Sequence, residues 1–329
     1  MSHPISGHQR AALEAVAAVD GFIRFDRFME VALYHPSEGY YRRDRARVGQ
    51  SASTDFFTAS SLGPVFGELI VASCISLLRG RDPAEFTFVE YGAEADRSVI
   101  QDVDHPFHAV RLVGVNDKAE LQGATIVFSN ELFDAQPFRR FRRADPHWEE
   151  LGAVLTANGI SESERPFSSS SEVLRLPDSA PPNYHLDLPT GANTLASAIA
   201  AQPWHGLFLA FDYGKSWTEL VESVPQGTAR AYYQHQQKTQ LLASMGEQDL
   251  TCHVCWDHLS KALQGQRFET AEVQSQEAFL VGHAANKLAE IMSAEATQMS
   301  PRKSGLMQLL HPSALGQKFQ VLSAWREES

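Results

Sequence analysis

The sequence predicts an α/β fold built around an open sheet of buried strands, and two observations carry that expectation. FTFVEYG (86–92) is a short β-branched and aromatic run closing on glycine, and AVRLVGV (109–115), TIVFSNE (125–131) and LFLAFDYG (207–214) repeat its form. Each run ends in polar residues, which suits the carboxyl edge where such sheets bind ligands. With 329 residues, 43% of them hydrophobic, the chain has ample material for one elaborated core or two packed ones.

Residues 1–80 read as a helical N-terminal layer. Leu13, Val16 and Ala17, then Phe25, Phe28, Met29, Ala32 and Leu33, carry helical apolar spacing that stops at Tyr34-His35-Pro36, because proline disfavours helix in the residue before it. Leu62 to Leu78 is apolar and helix-length, with Arg79-Gly80-Arg81-Asp82-Pro83 as the stop. Residues 81–232 form the sheet core, interrupted by a Ser/Pro-rich stretch at 161–182 that reads as an exposed loop. Residues 233–300 read as a helical subdomain, with helices around 233–265 and 284–298. KFQVLSAW (318–325), within 301–329, returns a last strand to the core sheet.

Charge and composition exclude several classes of function. A net charge of −12 gives no broad attraction to nucleic acid or anionic lipid, so neither is expected as a partner. Two basic runs, Arg42, Arg43, Arg45 and Arg47, then Arg139, Arg140, Arg142 and Arg143, read as solvated surface, with docking of an acidic partner as the lesser alternative. No run of about 18 apolar residues and no secretory start is visible, and the odd number of cysteines, Cys74, Cys252 and Cys255, suits a reducing compartment, so a cytoplasmic location is expected. Cys252, His253, Cys255 and His258 have the only metal-like spacing; they read as packing residues, with zinc as the lesser alternative.

Several blocks, in one order, resemble the MidA-like methyltransferases, relatives of the mitochondrial complex I assembly factor that methylates a protein arginine. They are ALYHPSEGYY (32–41), TDFFTASSLGPVFGELI (54–70), FVEYG (88–92), SNELFDAQPFRRF (129–141), FLAFDYG (208–214), GTARAYYQH (227–235), QDLTCHV (248–254) and LGQKFQVL (315–322). The resemblance implies a class I methyltransferase (Rossmann-like) sheet with an added helical subdomain, S-adenosylmethionine as cofactor, and a protein arginine as acceptor. It allows a homodimer, which no feature of the sequence demands.

Methyl transfer from a sulfonium needs positioning and exclusion of water more than acid–base chemistry. Paired carboxylates grip a guanidinium bidentately, and Glu131 and Asp134, three apart beyond a strand, are the candidate pair, with His253 lining the acceptor site. Asn130 is the neighbouring amide. The alternative for this block is an Asn130 helix cap with acids in the first turn. The resemblance places the cofactor against Tyr40, Asp55, Thr58, Glu90, Gly92, Asp117 and Asn130. Tyr40 or Tyr41 is suited to cover a sulfonium by cation–π attraction. Asp212 and Tyr213 end a strand at the same edge.

Two departures from the family matter. The loop after the first strand, Gly92-Ala93-Glu94-Ala95-Asp96, keeps one glycine of a Gly-x-Gly-x-Gly pattern and adds two acids. Only 37 positions separate Gly92 from Ser129, where two helices, two strands and their loops need about 45 or more, so the sheet is expected to be shortened at one edge. The leading expectation is therefore an S-adenosylmethionine-dependent methyltransferase. A catalytically degenerate relative acting as a binding or assembly factor is the second.

Overall fold

The computed structural model describes residues 2–42, 62–93, 97–115, 117, 119–167, 176–233, 236–294 and 300–328. The chain forms two compact units. One comprises residues 46–132, 195–214 and 259–329, the other 1–45, 133–194 and 215–258.

The first unit holds a sheet whose strands are β1 (Thr87–Tyr91), β2 (Ala109–Val113), β3 (Gly123–Asn130), β4 (Trp204–Asp212), β5 (Glu272–Ser275) and β6 (Gln320–Arg326), in the order β5-β6-β4-β3-β1-β2. β1 to β4 run parallel, and β6 is antiparallel to both β4 and β5. β1, β3 and β4 are buried over nearly their whole lengths, as parallel strands covered on both faces must be. β1 to β4 are the four apolar runs of the sequence and β6 is KFQVLSAW, while β5 is a strand the sequence did not predict; the architecture is that of a class I methyltransferase. Among the described residues β2 is the outermost strand on its side.

One face is covered by the helix Pro64–Leu77, whose Val65, Phe66, Leu69, Ile70 and Cys74 are almost wholly buried. Proline at its first turn is preorganised for helix, and Arg79 and Gly80, both at positive φ, end it. The helices Gln276–His283, Ala285–Ala294 and Pro301–Leu310 pack against it. Their apolar residues Phe279, Leu280, Ile291, Leu306 and Leu309 join Phe88, Phe128 and Phe211 in one cluster.

The second unit is built on an antiparallel sheet: Ser2–His3, Gly159–Pro166, His147–Thr156, Arg139–Ala144 and His185–Leu188 in that order, with Phe22–Arg24 also pairing on His147–Thr156. The second basic run is therefore a strand, not a solvated surface. Its side chains alternate, as strand geometry requires. Arg139, Phe141 and Arg143 are buried, while Arg140 and Arg142 lie on the other face. Arg139 meets Glu150 at 2.7 Å with both side chains at most 4% exposed, and Arg165 reaches the same carboxylate at 3.2 Å. Of the first basic run, Arg43, Arg45 and Arg47 lie outside the described residues.

Where the sequence suggested helix from residue 233 onward, Arg230–Tyr233, Gln236–Lys238 and Asp249–Thr251 form a small antiparallel sheet, and helix begins at Trp256. The helix Phe25–Tyr34 ends at His35, whose ψ of 134° is the extended conformation that Pro36 imposes. Asp187, 2% exposed, accepts from the backbone N–H of Thr228 (2.7 Å) and Ala229 (2.8 Å) and from Arg140 Nε (3.0 Å). Gly227 makes this wrap feasible: its φ is +67°, and a Cβ there would lie 2.3 Å from the carboxylate.

Candidate active site

In the parallel-sheet unit the candidate residues gather at the carboxyl ends of β1 and β3, which are neighbours in register, Tyr91 opposite Ser129. Glu90 is 7% exposed. Burial raises its pKa, and hydrogen bonds from Ser98 Oγ (2.6 Å) and the Val99 N–H (2.9 Å) oppose that shift. The side chain thus pins the segment that follows the first-strand loop. Gly92 has φ +75°, and a Cβ there would meet Leu132 Cδ1 at 2.9 Å, so this turn lies close against the segment following β3.

Asn130 donates from Nδ2 to Glu131 Oε1 at 3.2 Å, while its own Oδ1 is buried and has no hydrogen-bond partner among the described residues. Glu131 sits at φ +51°, a region uncommon for residues with a side chain, and its N–H donates to the Phe211 carbonyl of β4 (3.0 Å). Asn130 does not cap a helix here; a short non-helical segment follows β3. Asp117 closes the turn after β2, accepting from the Gly114 N–H at 2.8 Å. At the end of β4, Asp212 is fully buried and accepts from the Tyr213 N–H at 2.8 Å, and the Tyr213 ring packs 4.1 Å from that of Phe319.

A positively charged amino-acid group needs an oxygen acceptor, and the orphaned Asn130 Oδ1 supplies one at the end of β3. A ribose hydroxyl needs a carboxylate after the second strand, which is where Asp117 stands. Glycine at 92 adds no side chain of its own to the turn, which packs against Leu132. These features fit the cofactor. Asp55, Thr58, Glu94 and Asp96 lie outside the described residues.

The chain passes from this unit to the other between Leu132 and Phe133, so Glu131 belongs to the first and Asp134 to the second. In the antiparallel-sheet unit Asp134 is 7% exposed, and its carbonyl accepts from the Cys252 N–H at 2.9 Å, which sets His253 one residue away. Tyr34 ends its helix with the hydroxyl donating to the Ala135 carbonyl (2.9 Å), and its ring stacks on Tyr41 at 5.4 Å. Tyr41 donates to Asp249 Oδ1 at 2.8 Å. Burial, then the negative charges of Asp249 and Asp134, push both phenols well above their ordinary pKa. Tyr40 is fully buried, its ring edge-on to Tyr41 at 5.2 Å.

The His253 N–H donates to Thr228 Oγ1 at 3.2 Å, and its Nδ1 is buried without a partner. Burial, and behind it the charges of Lys215 and Arg230, lower its pKa to about 4, so the imidazole is neutral at physiological pH. Cys252 and Cys255 are buried, and burial pushes the Cys255 thiol up to about 11. Among the described residues no three His, Cys, Asp or Glu side chains converge as metal ligands.

The structure thus brings Asp134 together with two residues the sequence did not single out, Tyr34 and Asp249, while the charges acting on the His253 ring are those of Lys215, Arg230, Asp187 and Glu219. Tyr34 and Asp249 lie inside blocks that carry the family resemblance, ALYHPSEGYY and QDLTCHV. The available signal was the blocks; their meeting across the fold was not readable.

Over residues 69–273 the chain matches the family described as "Putative S-adenosyl-L-methionine-dependent methyltransferase". It is 24% identical, across 97% of its own length and 85% of the other's, to the mitochondrial protein arginine methyltransferase NDUFAF7 homolog of Drosophila melanogaster. The mitochondrial protein arginine methyltransferase NDUFAF7 of Danio rerio is 22% identical across 92% of this chain and 83% of that protein. Among solved structures, a COG1565-superfamily protein of Burkholderia thailandensis bound to S-adenosyl-homocysteine superposes with a TM-score of 0.83 at 24% identity, covering 99% of this chain and 95% of that one. The fold is shared along the whole chain.

Proposed function

Because the chain belongs to the family of S-adenosyl-L-methionine-dependent methyltransferases matched over residues 69–273, we propose that its acceptor is a guanidinium nitrogen of an arginine in a protein. The single observation that carries this reading is the pairing of two buried carboxylates, Asp134 and Asp249, with the stacked phenols Tyr34 and Tyr41 in one unit. A planar cation suits that setting: carboxylates accept its N–H groups, and aromatic faces attract its charge. The curated relatives of fly and fish, both protein arginine methyltransferases by name, support the same acceptor.

Asn130 and Asp117 are the residues that would hold the cofactor, with the Gly92 turn beside them. When bound, the cofactor supplies an electrophilic methyl on sulfur. Asp134 and Asp249 orient the guanidinium. Methylation forms an N–C bond as the bond between that methyl and sulfur breaks, its electron pair staying on sulfur as a neutral thioether, and it releases one N–H proton, for which the Asp134 and Asp249 carboxylates are the bases in this cluster.

The test pairs calorimetry of cofactor binding with mass spectrometry of methylarginine on arginine-containing peptides. Asp134→Asn combined with Asp249→Asn should lower kcat/KM at least about 100-fold, the loss expected when charged hydrogen bonds are weakened in a desolvated site, with cofactor affinity unchanged within about two-fold. Unaltered transfer in that variant, or methyl groups found only on residues other than arginine, would sink the proposal. No binding of S-adenosylmethionine at millimolar concentration would instead favour the binding-factor reading.

A further inference from the structure

A cavity of about 400 Å³ lies on the antiparallel-sheet unit, on the face that carries Arg140 and Arg142. Its walls include Phe25, Arg140, Arg142, Leu151, Glu162 and His185. The register explains how they meet. Arg140 stands opposite Leu151 on one side and Asp187 on the other; Arg142 stands opposite Glu149 and His185. Leu151 in turn faces Glu164.

Both arginines are already neutralised. Arg140 is held by Asp187 at 3.0 Å, and Arg142 by Glu149 at 2.7 Å and Glu164 at 2.6 Å. Glu162 is exposed and has no ion-pair partner among the described residues. Glu162 and Glu164 line the cavity, and together with Asp187 and Glu149 behind the arginines they set four carboxylates against two guanidiniums, so the surplus is negative. His185 does not cancel it, because burial, then Arg140, lowers its pKa and keeps the ring neutral. Its Nδ1 is buried and has no hydrogen-bond partner among the described residues. Phe25, Leu151 and Leu242 provide apolar wall beside the free acid, the combination that receives the methylene stem and charged head of lysine or arginine.

Position joins this cavity to the chemistry. Phe25 opens the helix Phe25–Tyr34, and Tyr34 closes it within the Asp134 and Asp249 cluster. At 1.5 Å per residue the helix spans about 14 Å between them. An extended peptide covers that distance in about four residues at roughly 3.3 Å each.

We propose that this groove docks the substrate polypeptide itself, taking a lysine or arginine about four positions from the methylated arginine, with Glu162 as the carboxylate that selects it. This inference rests on the protein-arginine reading above and adds a sequence preference to it.

Fluorescein-labelled twelve-residue peptides test it by anisotropy against the full chain saturated with S-adenosyl-homocysteine. Each contains one arginine in a glycine–alanine background, with lysine or glutamate four positions away, in both directions. In one direction the lysine peptide should bind about ten-fold more tightly than the glutamate peptide, and Glu162→Lys should abolish or reverse that ratio, since the variant turns one attractive exposed pair into a repulsive one. Calorimetry with S-adenosyl-homocysteine reports that the variant is folded. Equal binding of the two peptides, an unchanged ratio in the variant, or no binding of either would overturn the groove. Replacing the central arginine by alanine separates the two ideas: the lysine preference should persist in binding while methyl transfer disappears. Persistence of the preference with no arginine ever methylated would defeat the acceptor reading and leave the groove standing.

Discussion

Phe86, Phe88, Phe128 and Phe211 fill the parallel sheet's interior, and the buried charges of that sheet, Glu90, Asp212 and Arg326, stand at or next to strand ends. The antiparallel sheet instead buries Arg139 and Glu150 in paired strands and Asp187 under a backbone wrap. Apolar packing tolerates loss of one partner group by partial collapse. An ion pair taken out of water does not, because the surviving charge remains desolvated. The two units thus fail differently when damaged.

The largest contrast should appear with Arg139→Ala, which leaves the buried Glu150 only its longer contact with the half-exposed Arg165. A loss of about 3–5 kcal/mol is expected in urea unfolding, with partial recovery when Glu150 is changed to leucine in the same chain. Phe128→Ala should cost a similar amount, but no single second substitution is expected to recover it. Recovery of both variants, or of neither, would erase the distinction.

A smaller effect concerns His253. Its folded pKa of about 4 lies below the unfolded value of about 6.5, so between these limits the unfolded chain binds the proton that the folded chain refuses. Stability should fall as pH drops from about 6.5 towards 4, by on the order of 3 kcal/mol in total, and His253→Gln should flatten that part of the profile. Parallel pH curves for parent and variant would show that this ring is not the source.

Smallest is Gly92→Ala in the parallel-sheet unit. The φ of +75° and the approach of Leu132 Cδ1 should cost about 1 kcal/mol, since the leucine tip is able to move aside. Weaker cofactor binding by calorimetry is expected with it. A variant as stable as the parent would mean that the turn relaxes out of its left-handed conformation.

The same contrast decides what the sequence revealed. β1, β3 and β4 were legible because strands covered on both faces are written in continuous apolar residues. The Arg139–Ala144 strand was not, because burial by ion pairing leaves a charged string that reads as surface. Residues 233–251 were read as helix because a small sheet with half-exposed strands leaves little periodicity. Asn130, Glu131 and Asp134 stood out through their block beyond a strand. Tyr41 and Asp249 are 208 residues apart, and no local pattern announces that one phenol will meet that acid.

The strand order sets a schedule for the newly made chain. β5, at 272–275, has only β6 as a neighbour, and β6 is residues 320–326. At about 5–20 residues per second, β5 waits roughly 2–10 s for its partner to emerge from the ribosome. Throughout that interval β4 also lacks β6, so an apolar strand carrying Leu207, Leu209 and Phe211 has one open edge available to a neighbouring nascent chain.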